Sequence, residues 1–302
     1  MKKDFLTLFD CTEKEIADLL NLADQLKYEQ KHGIPHERNL KGKTLGMIFT
    51  KASTRTRVSF EVGMYQLGGN ALFLSGNDLQ IGRGEPIKDT ARVLSRYLDG
   101  IMIRTFKQSD VEQLAEWGSI PVINGLTDYC HPCQVLADLM TIREHKGTLH
   151  DLRLTFVGDG NNMANSLIAG CIKMGMYVTI VCPVNHKPDA RLIEWGMSLG
   201  KLTITQDVKE GMRGADVVYT DVWASMGQEG EAEERRLEFA DYQVNDENMA
   251  YTNPGCMVLH CLPAHRGEEI TDGVFEAHAN EIFDEAENRL HAQKAVMVTL
   301  MG

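Results

Sequence analysis

The run Phe49-Thr50-Lys51-Ala52-Ser53-Thr54-Arg55-Thr56-Arg57 places four hydroxyls and three cations in nine residues, between an apolar stretch and a helical pattern through Val58, Phe60 and Val62. A helix N-terminus offers unpaired N–H groups and the positive end of a dipole, and here hydroxyls and guanidinium groups are added to them. That chemistry suits a phosphate cradle. A capped helix start with two solvated arginines would account for Ser53, but not for two arginines and two further hydroxyls in one turn. Local charge points the same way. From Lys43 to Arg104 there are nine Lys/Arg against five Asp/Glu, so this window is +4 in a chain of net charge −12, leaving −16 elsewhere. A positive region in an acidic protein can focus a small anion. Lys88, Arg92 and Arg96, spaced i, i+4 and i+8, read instead as a solvated helix face.

Arg104 ends the run Ile101-Met102-Ile103, and His131 with Gln134 follows Pro121-Val122-Ile123 after a short loop. An arginine, a histidine and an amide at neighbouring strand ends can polarise a carbonyl and recognise an amide beside it. The segment Tyr129-Cys130-His131-Pro132-Cys133 also contains Cys-x-x-Cys. A thioredoxin-like motif belongs near the first βαβ unit of a small domain, whereas this one lies deep in a longer alternation. A zinc site joining Cys130 and Cys133 to His260, Cys261 or His265 would lack the second close pair of strong zinc motifs.

In the second half, Val157-Gly158-Asp159-Gly160-Asn161-Asn162 follows a strand and precedes a helix, like the start of a dinucleotide fingerprint. Met163 stands where a third glycine is wanted, which argues against a nicotinamide cofactor and leaves the Asn162 amide for a small polar ligand. No Gly-x-x-x-x-Gly-Lys-Ser/Thr occurs, so a P-loop nucleotidase is unsupported. Asp221, in Tyr219-Thr220-Asp221-Val222-Trp223-Ala224-Ser225-Met226-Gly227, can pair with an ammonium group or simply cap a turn. Leu259-His260-Cys261-Leu262-Pro263 puts a thiol at a strand end, where burial would make it inert packing and a depressed pKa would make it reactive.

These segments need elements to hold them. Thr12-x-x-Glu15 has capping-box spacing and opens a helix through Leu19, Leu20 and Leu26 that Gly33 and Pro35 stop. Apolar runs at 44–49, 71–74, 101–103 and 121–123 then alternate with helical patterns, the last at about 134–145. After Lys146-Gly147 the rhythm restarts at 152–157, 177–181, 202–205, 217–220 and 257–260, and 280–301 reads as a terminal helix. Such alternation predicts α/β architecture with parallel sheets covered on both faces. Two doubly wound parallel-sheet domains are expected, 1–147 and 148–302, with active residues in the segments after each strand. Residues 229–236 read as a polar loop.

At 302 residues, with 43% hydrophobic and 25% charged residues, the chain falls among ordinary globular proteins of two domains. The acidic balance disfavours nucleic-acid binding. No apolar run nears the roughly 18 residues of a membrane span, and the N-terminus lacks a signal peptide's apolar core. Seven scattered cysteines suit reduced thiols, so a cytoplasmic location is expected.

Taken together, Ser53-Thr54-Arg55-Thr56-Arg57, His131-Pro132-Cys133-Gln134 and His260-Cys261-Leu262-Pro263 resemble the aspartate/ornithine carbamoyltransferase family, in order and spacing, over nearly the whole chain. Ser225-Met226-Gly227 after Asp221, and Cys261 where the aspartate branch would carry proline, imply ornithine as the amine. The implied reaction is attack of the δ-amine of L-ornithine on carbamoyl phosphate, giving L-citrulline and phosphate, most commonly in arginine biosynthesis. A different amine, such as putrescine or N-acetylornithine, operation in arginine breakdown, and a non-catalytic anion-binding relative are the alternatives. No cofactor or metal is implied.

The resemblance further implies that Ser53, Thr54, Arg55 and Thr56 hold the phosphate and that Arg104, His131 and Gln134 contact the carbamoyl group. Gln80 would reach the site of a neighbouring subunit, requiring a homotrimer or an assembly of trimers. Asn162, Asp221, Ser225 and Met226 would bind ornithine. Cys261 and Leu262 would line the reacting centre, Arg289 would complete it, and the C-terminal helix would pack back on the first domain.

Overall fold

The computed structural model describes residues 3–224, 230 and 232–302. Ser225 and Met226 of the expected amine pocket lie outside the described residues. The chain forms two compact units, Met1–Ala137 with Arg289–Gly302, and Asp138–Asn288.

The first unit holds β1 (Thr44–Phe49), β2 (Asn70–Ser75), β3 (Gly100–Arg104) and β4 (Val122–Leu126), with helices α1 (Glu13–Lys31), α2 (Thr54–Gln66), α3 (Ile87–Leu94) and α4 (Gln108–Trp117). Helix α5 (Pro132–Lys146) then carries the chain into the second unit. There follow β5 (Arg153–Val157), α6 (Asn162–Lys173), β6 (Tyr177–Val181), α7 (Ala190–Ser198), β7 (Leu202–Thr205), α8 (Val208–Met212) and β8 (Val217–Thr220). After them come α9 (Ala232–Glu238), α10 (Asp246–Met249), β9 (Met257–His260) and α11 (Asp272–Ala277). Helix α12 (Ala279–Met301) brings the chain back to the first unit.

Both sheets are wholly parallel, in the orders β2-β1-β3-β4 and β7-β6-β5-β8-β9. Central parallel strands bury both faces, which is why Leu45, Met47, Ile48 and Ile101, Met102, Ile103 form continuous apolar runs rather than alternating ones. The edge strand β2 is largely exposed. The opposite edge is covered by the N-terminal segment, where the Phe5 N–H donates to the Val122 carbonyl and the Phe5 carbonyl accepts from the Asn124 N–H, both at 2.9 Å.

The capping box at Thr12 forms as its spacing predicts, with Thr12 Oγ1 accepting from the Glu15 N–H and Glu15 accepting from the Thr12 N–H. The division between the two compact units falls inside α5, one continuous helix that contributes residues to both. One sequence expectation differs from the structure. Of the expected polar loop, residues 232–236 belong to α9, with Glu233 and Glu234 in its first turn and Arg235 and Arg236 in its last, the arrangement that complements a helix dipole, while residues 229 and 231 lie outside the described residues. The end of α12 packs in the first unit: a Cβ on Gly63 would stand 2.9 Å from Met297 Cε, so α2 meets α12 through a glycine. Among the described residues no helix is long and apolar enough to cross a membrane.

Candidate active site

In the first unit the strand order reverses between β1 and β3, the place where open α/β sheets bind ligands beyond their carboxyl ends. Phe49 is in register with Arg104 there. The Arg104 carbonyl accepts from the Thr50 N–H at 3.0 Å, the Thr50 hydroxyl at 3.3 Å and the Lys51 N–H at 3.4 Å, fastening the segment after β1 to the end of β3. Ser53 caps α2, its Oγ accepting from the Thr56 N–H at 3.2 Å and its hydroxyl donating to Thr56 Oγ1 at 3.1 Å. Arg289 of α12 donates from Nη2 to the same Thr56 oxygen at 2.9 Å. Thr54 and Arg55 are exposed in the first turn of α2. Arg57 is turned to other work, paired with Glu61 at 2.9 Å and lying 3.9 Å from the Phe73 ring centre.

His131 and Gln134, just before and within the first turn of α5, are buried, as are Arg104, Arg289 and Lys51. Burial pushes the His131 imidazole well below the usual histidine range, and the positive charges of Arg289, Arg104 and Lys51 push it the same way. His131 is therefore neutral at physiological pH, surrounded by three cations. Lys51 also pairs with Asp128 at 3.1 Å.

The second unit reverses its strand order between β5 and β8. Asn161 caps α6 there: its Oδ1 accepts from the Met163 N–H at 2.9 Å, and its Nδ2 donates to Asp221 Oδ2 at 3.1 Å. The other Asp221 oxygen accepts from the Val222 N–H at 2.8 Å and from the Cys261 thiol at 3.1 Å. Burial, and after it the negative charge of Asp221, hold the Cys261 thiol well above its ordinary range, so it stays a donor rather than a thiolate. Behind them the Tyr219 hydroxyl donates to Glu285 Oε1 at 3.0 Å, and the His260 N–H donates to Glu285 Oε2 at 2.8 Å. Burial raises both Tyr219 and Glu285. Asn162 is buried at the first position of α6. Gly160 owes its identity to the loop it touches, since a Cβ there would stand 2.4 Å from the His186 carbonyl oxygen and 2.5 Å from the Pro188 nitrogen.

Among the described residues, two groups hold metal-type ligand atoms within 4.8 Å of one another: Asp221, His260, Cys261 and His265, Glu268, Glu269. In the first, both His260 ring nitrogens are already hydrogen-bonded and the thiol is protonated, which suits a metal poorly. Cys130 and Cys133 are free thiols, and burial pushes each up to about 12, so neither offers the thiolate that dithiol exchange requires.

The profile of the aspartate/ornithine carbamoyltransferase carbamoyl-P binding domain matches residues 3–144, and that of the Asp/Orn binding domain matches residues 150–300. The chain belongs to the aspartate/ornithine carbamoyltransferase family. It is 58% identical to an ornithine carbamoyltransferase of Syntrophotalea carbinolica over 100% of both chains. Among solved structures, it resembles an ornithine carbamoyltransferase from Pyrococcus furiosus with a TM-score of 0.94 at 52% identity, covering 99% of this chain and 97% of that one. The enzyme of that name from Thermus thermophilus matches with a TM-score of 0.91 at 41% identity, covering 100% of both.

In this carbamoyltransferase the first unit gathers Ser53, Thr56, Arg104, His131 and Arg289, the last two linked through the field that shifts His131. Gln80 lies exposed on a separate 3-10 turn. The second unit gathers Asp221 and Cys261, while Leu262 follows with φ +57°, in the left-handed region. Three participants had no mark in the sequence reading. Lys51 reads there as one cation of a basic run. Asn161 and Asn162 are chemically alike, so only the cap geometry shows which amide holds Asp221. Arg235, buried, donates to Asp159 at 2.7 Å and to the Trp223 carbonyl at 3.0 Å, tying α9 to the loops after β5 and β8.

Proposed function

We propose that this chain transfers the carbamoyl group of carbamoyl phosphate to the δ-amine of L-ornithine, forming L-citrulline and inorganic phosphate. The observation that carries the proposal is the convergence of Arg104, Arg289 and Lys51 on a neutral, buried His131 beside the Ser53-capped start of α2. Phosphate oxygens are recognised by the N-terminus of α2 with Ser53, Thr54, Arg55 and Thr56, where the dipole and the guanidinium offset charge building on the leaving group. Arg104 and His131 serve the carbamoyl oxygen. A neutral imidazole can donate a hydrogen bond while the arginine supplies the charge that stabilises an oxyanion. Gln134 serves the carbamoyl amide.

In the second unit Asp221, Asn162, Ser225 and Met226 bind ornithine, with Asp221 as the carboxylate for its ammonium group. Cys261 and Leu262 line the reacting centre, on the carbamoyl phosphate side of the transfer. A free alkyl amine has a pKa near ~10.4, so the attacking nitrogen must lose a proton before it can add to the carbonyl carbon. The C–N bond then forms, the C–O bond to phosphate breaks, and the second amine proton leaves as the intermediate collapses.

Arginine biosynthesis in the cytoplasm is the setting this reading favours. A homotrimer is favoured by the exposed Val58, Val62 and Tyr65 of α2 beside exposed Leu72 and Phe73 of the edge strand β2, an apolar surface of the kind that partners cover. Exposed Gln80 is then available to a neighbouring copy. The test is citrulline formation from carbamoyl phosphate and L-ornithine, with aspartate, putrescine and N-acetylornithine run alongside. Saturable turnover with ornithine alone is expected. Turnover only with another amine would overturn the second-unit assignment, and none with any amine would overturn the reaction.

A further inference from the structure

Glu269 belongs to none of the substrate-binding sets above, yet its side chain is fully buried and directs its two side-chain hydrogen bonds at the last residue of β9 and at the turn that follows. Oε1 faces His260 Nε2 at 2.9 Å and accepts from the His265 N–H at 2.7 Å. The second oxygen, Oε2, is buried with no hydrogen-bond partner among the described residues. On the other side of the ring, His260 Nδ1 is 2.9 Å from the Leu262 N–H. A backbone N–H can only donate, so Nδ1 is the acceptor and the ring proton sits on Nε2, which donates it in a hydrogen bond to Glu269 Oε1. Leu262 has φ +57°, a conformation that a side chain with a Cβ adopts only when its surroundings impose it.

We infer that Glu269 is a positioning residue for the carbamoyl transfer, fixing the His260 tautomer that holds the Leu262 backbone and, with it, the Cys261–Leu262 turn. This rests on the reading that Cys261 and Leu262 line the reacting centre, where the amine meets the carbamoyl group. A proton moved to Nδ1 would set two donors against each other and release Leu262 from its left-handed conformation. Cys261, one residue earlier, would lose its aim at Asp221.

The test uses the full-length protein, with kcat and the ornithine KM measured beside direct binding of carbamoyl phosphate. Glu269→Ala is expected to lower kcat/KM for ornithine roughly 10–100-fold, on the scale of losing a residue that orients a metal-ligating histidine, and to leave carbamoyl phosphate binding unchanged. Glu269→Gln, whose amide oxygen can still accept from both partners, is expected to restore most of that loss. A folded Glu269→Ala with unchanged ornithine kinetics, equal weakening of both substrates, or a Glu269→Gln as impaired as the alanine variant would overturn the inference.

If Glu269→Ala does not fold, His260 decides. His260→Asn keeps an acceptor near the Nδ1 position and is expected to retain more activity than His260→Gln, which reaches only toward Glu269; equal losses would refute the tautomer route. Unchanged turnover in Cys261→Ala and Leu262→Ala would overturn instead the reading on which the inference depends.

Discussion

Lys294 gives the sharpest stability test. It lies fully buried on α12, donating to Gln66 Oε1 at 3.0 Å and standing 3.2 Å from His36 Nε2. Burial lowers its amine from 10.5 to about 8, although Glu29 pulls the other way. At pH well below 8 the folded and unfolded amines are both protonated, and the folded state carries the whole cost of a buried ammonium. Between about 8 and 10.5 the folded amine loses its proton while the unfolded one keeps it, so the unfolded state binds more protons and stability rises with pH. The full relief is about 3.4 kcal/mol, from ~1.36 kcal/mol for each pKa unit. About 2 kcal/mol of it falls between pH 7 and roughly pH 9.5.

Lys294→Met removes the titration. Its effect at pH 7 alone is uninformative, since relief of the ammonium is offset by leaving His36 Nε2 and Gln66 Oε1 without a donor, at about 1–3 kcal/mol each. The change of the difference with pH cancels those terms and every titrating group not coupled to Lys294. Trp117 lies in the first unit, and Trp195 and Trp223 in the second. Urea unfolding is therefore followed by Trp117 fluorescence in a Trp195→Phe, Trp223→Phe background. The stability difference between wild type and Lys294→Met is expected to move by about 2 kcal/mol in favour of wild type over that pH range. A difference constant to within about 0.5 kcal/mol, the spread of an ordinary surface change, would refute the buried-ammonium account.

Three further outcomes are expected. Arg55→Ala should raise the KM for carbamoyl phosphate roughly 10–150-fold, from about 1.5–3 kcal/mol for a hydrogen bond to a charged group, with urea midpoints unmoved because the side chain is exposed; steady-state kinetics at low carbamoyl phosphate checks it. Gly160→Ala should destabilise the second unit by about 1–3 kcal/mol, the cost of overpacking against backbone that cannot yield, with ornithine use lost before carbamoyl phosphate binding. Turnover with ornithine should rise through neutral to alkaline pH as the amine deprotonates, with no inflection near pH 6–7 from His131, because that residue is neutral throughout; a titration there that disappears in His131→Asn would contradict the buried, cation-surrounded imidazole.

Local chemistry and spacing carried the alternation of strands and helices, the capping box at Thr12, the Ser53-capped start of α2 and the placing of Asp221 and Cys261 just past strand ends. Each depends on residues within a turn or a strand of one another, so a periodicity of 2 or 3.6 and the type of the next residue are enough to reveal it. The family resemblance added Arg289 and Gln80, which nothing nearby in the chain marks. What stayed hidden depends on groups far apart in sequence. The division inside α5 follows from which core each half of one helix joins. The neutral state of His131 follows first from its burial and then from Arg289, Arg104 and Lys51, brought together by a sheet reversal and by the return of α12. The choice of Asn161 over Asn162, the anchor Arg235, and Glu269 behind His260 were decided in the same way. A residue's type can be read from its own letter, but its proton and its partner are set by the groups that folding places around it.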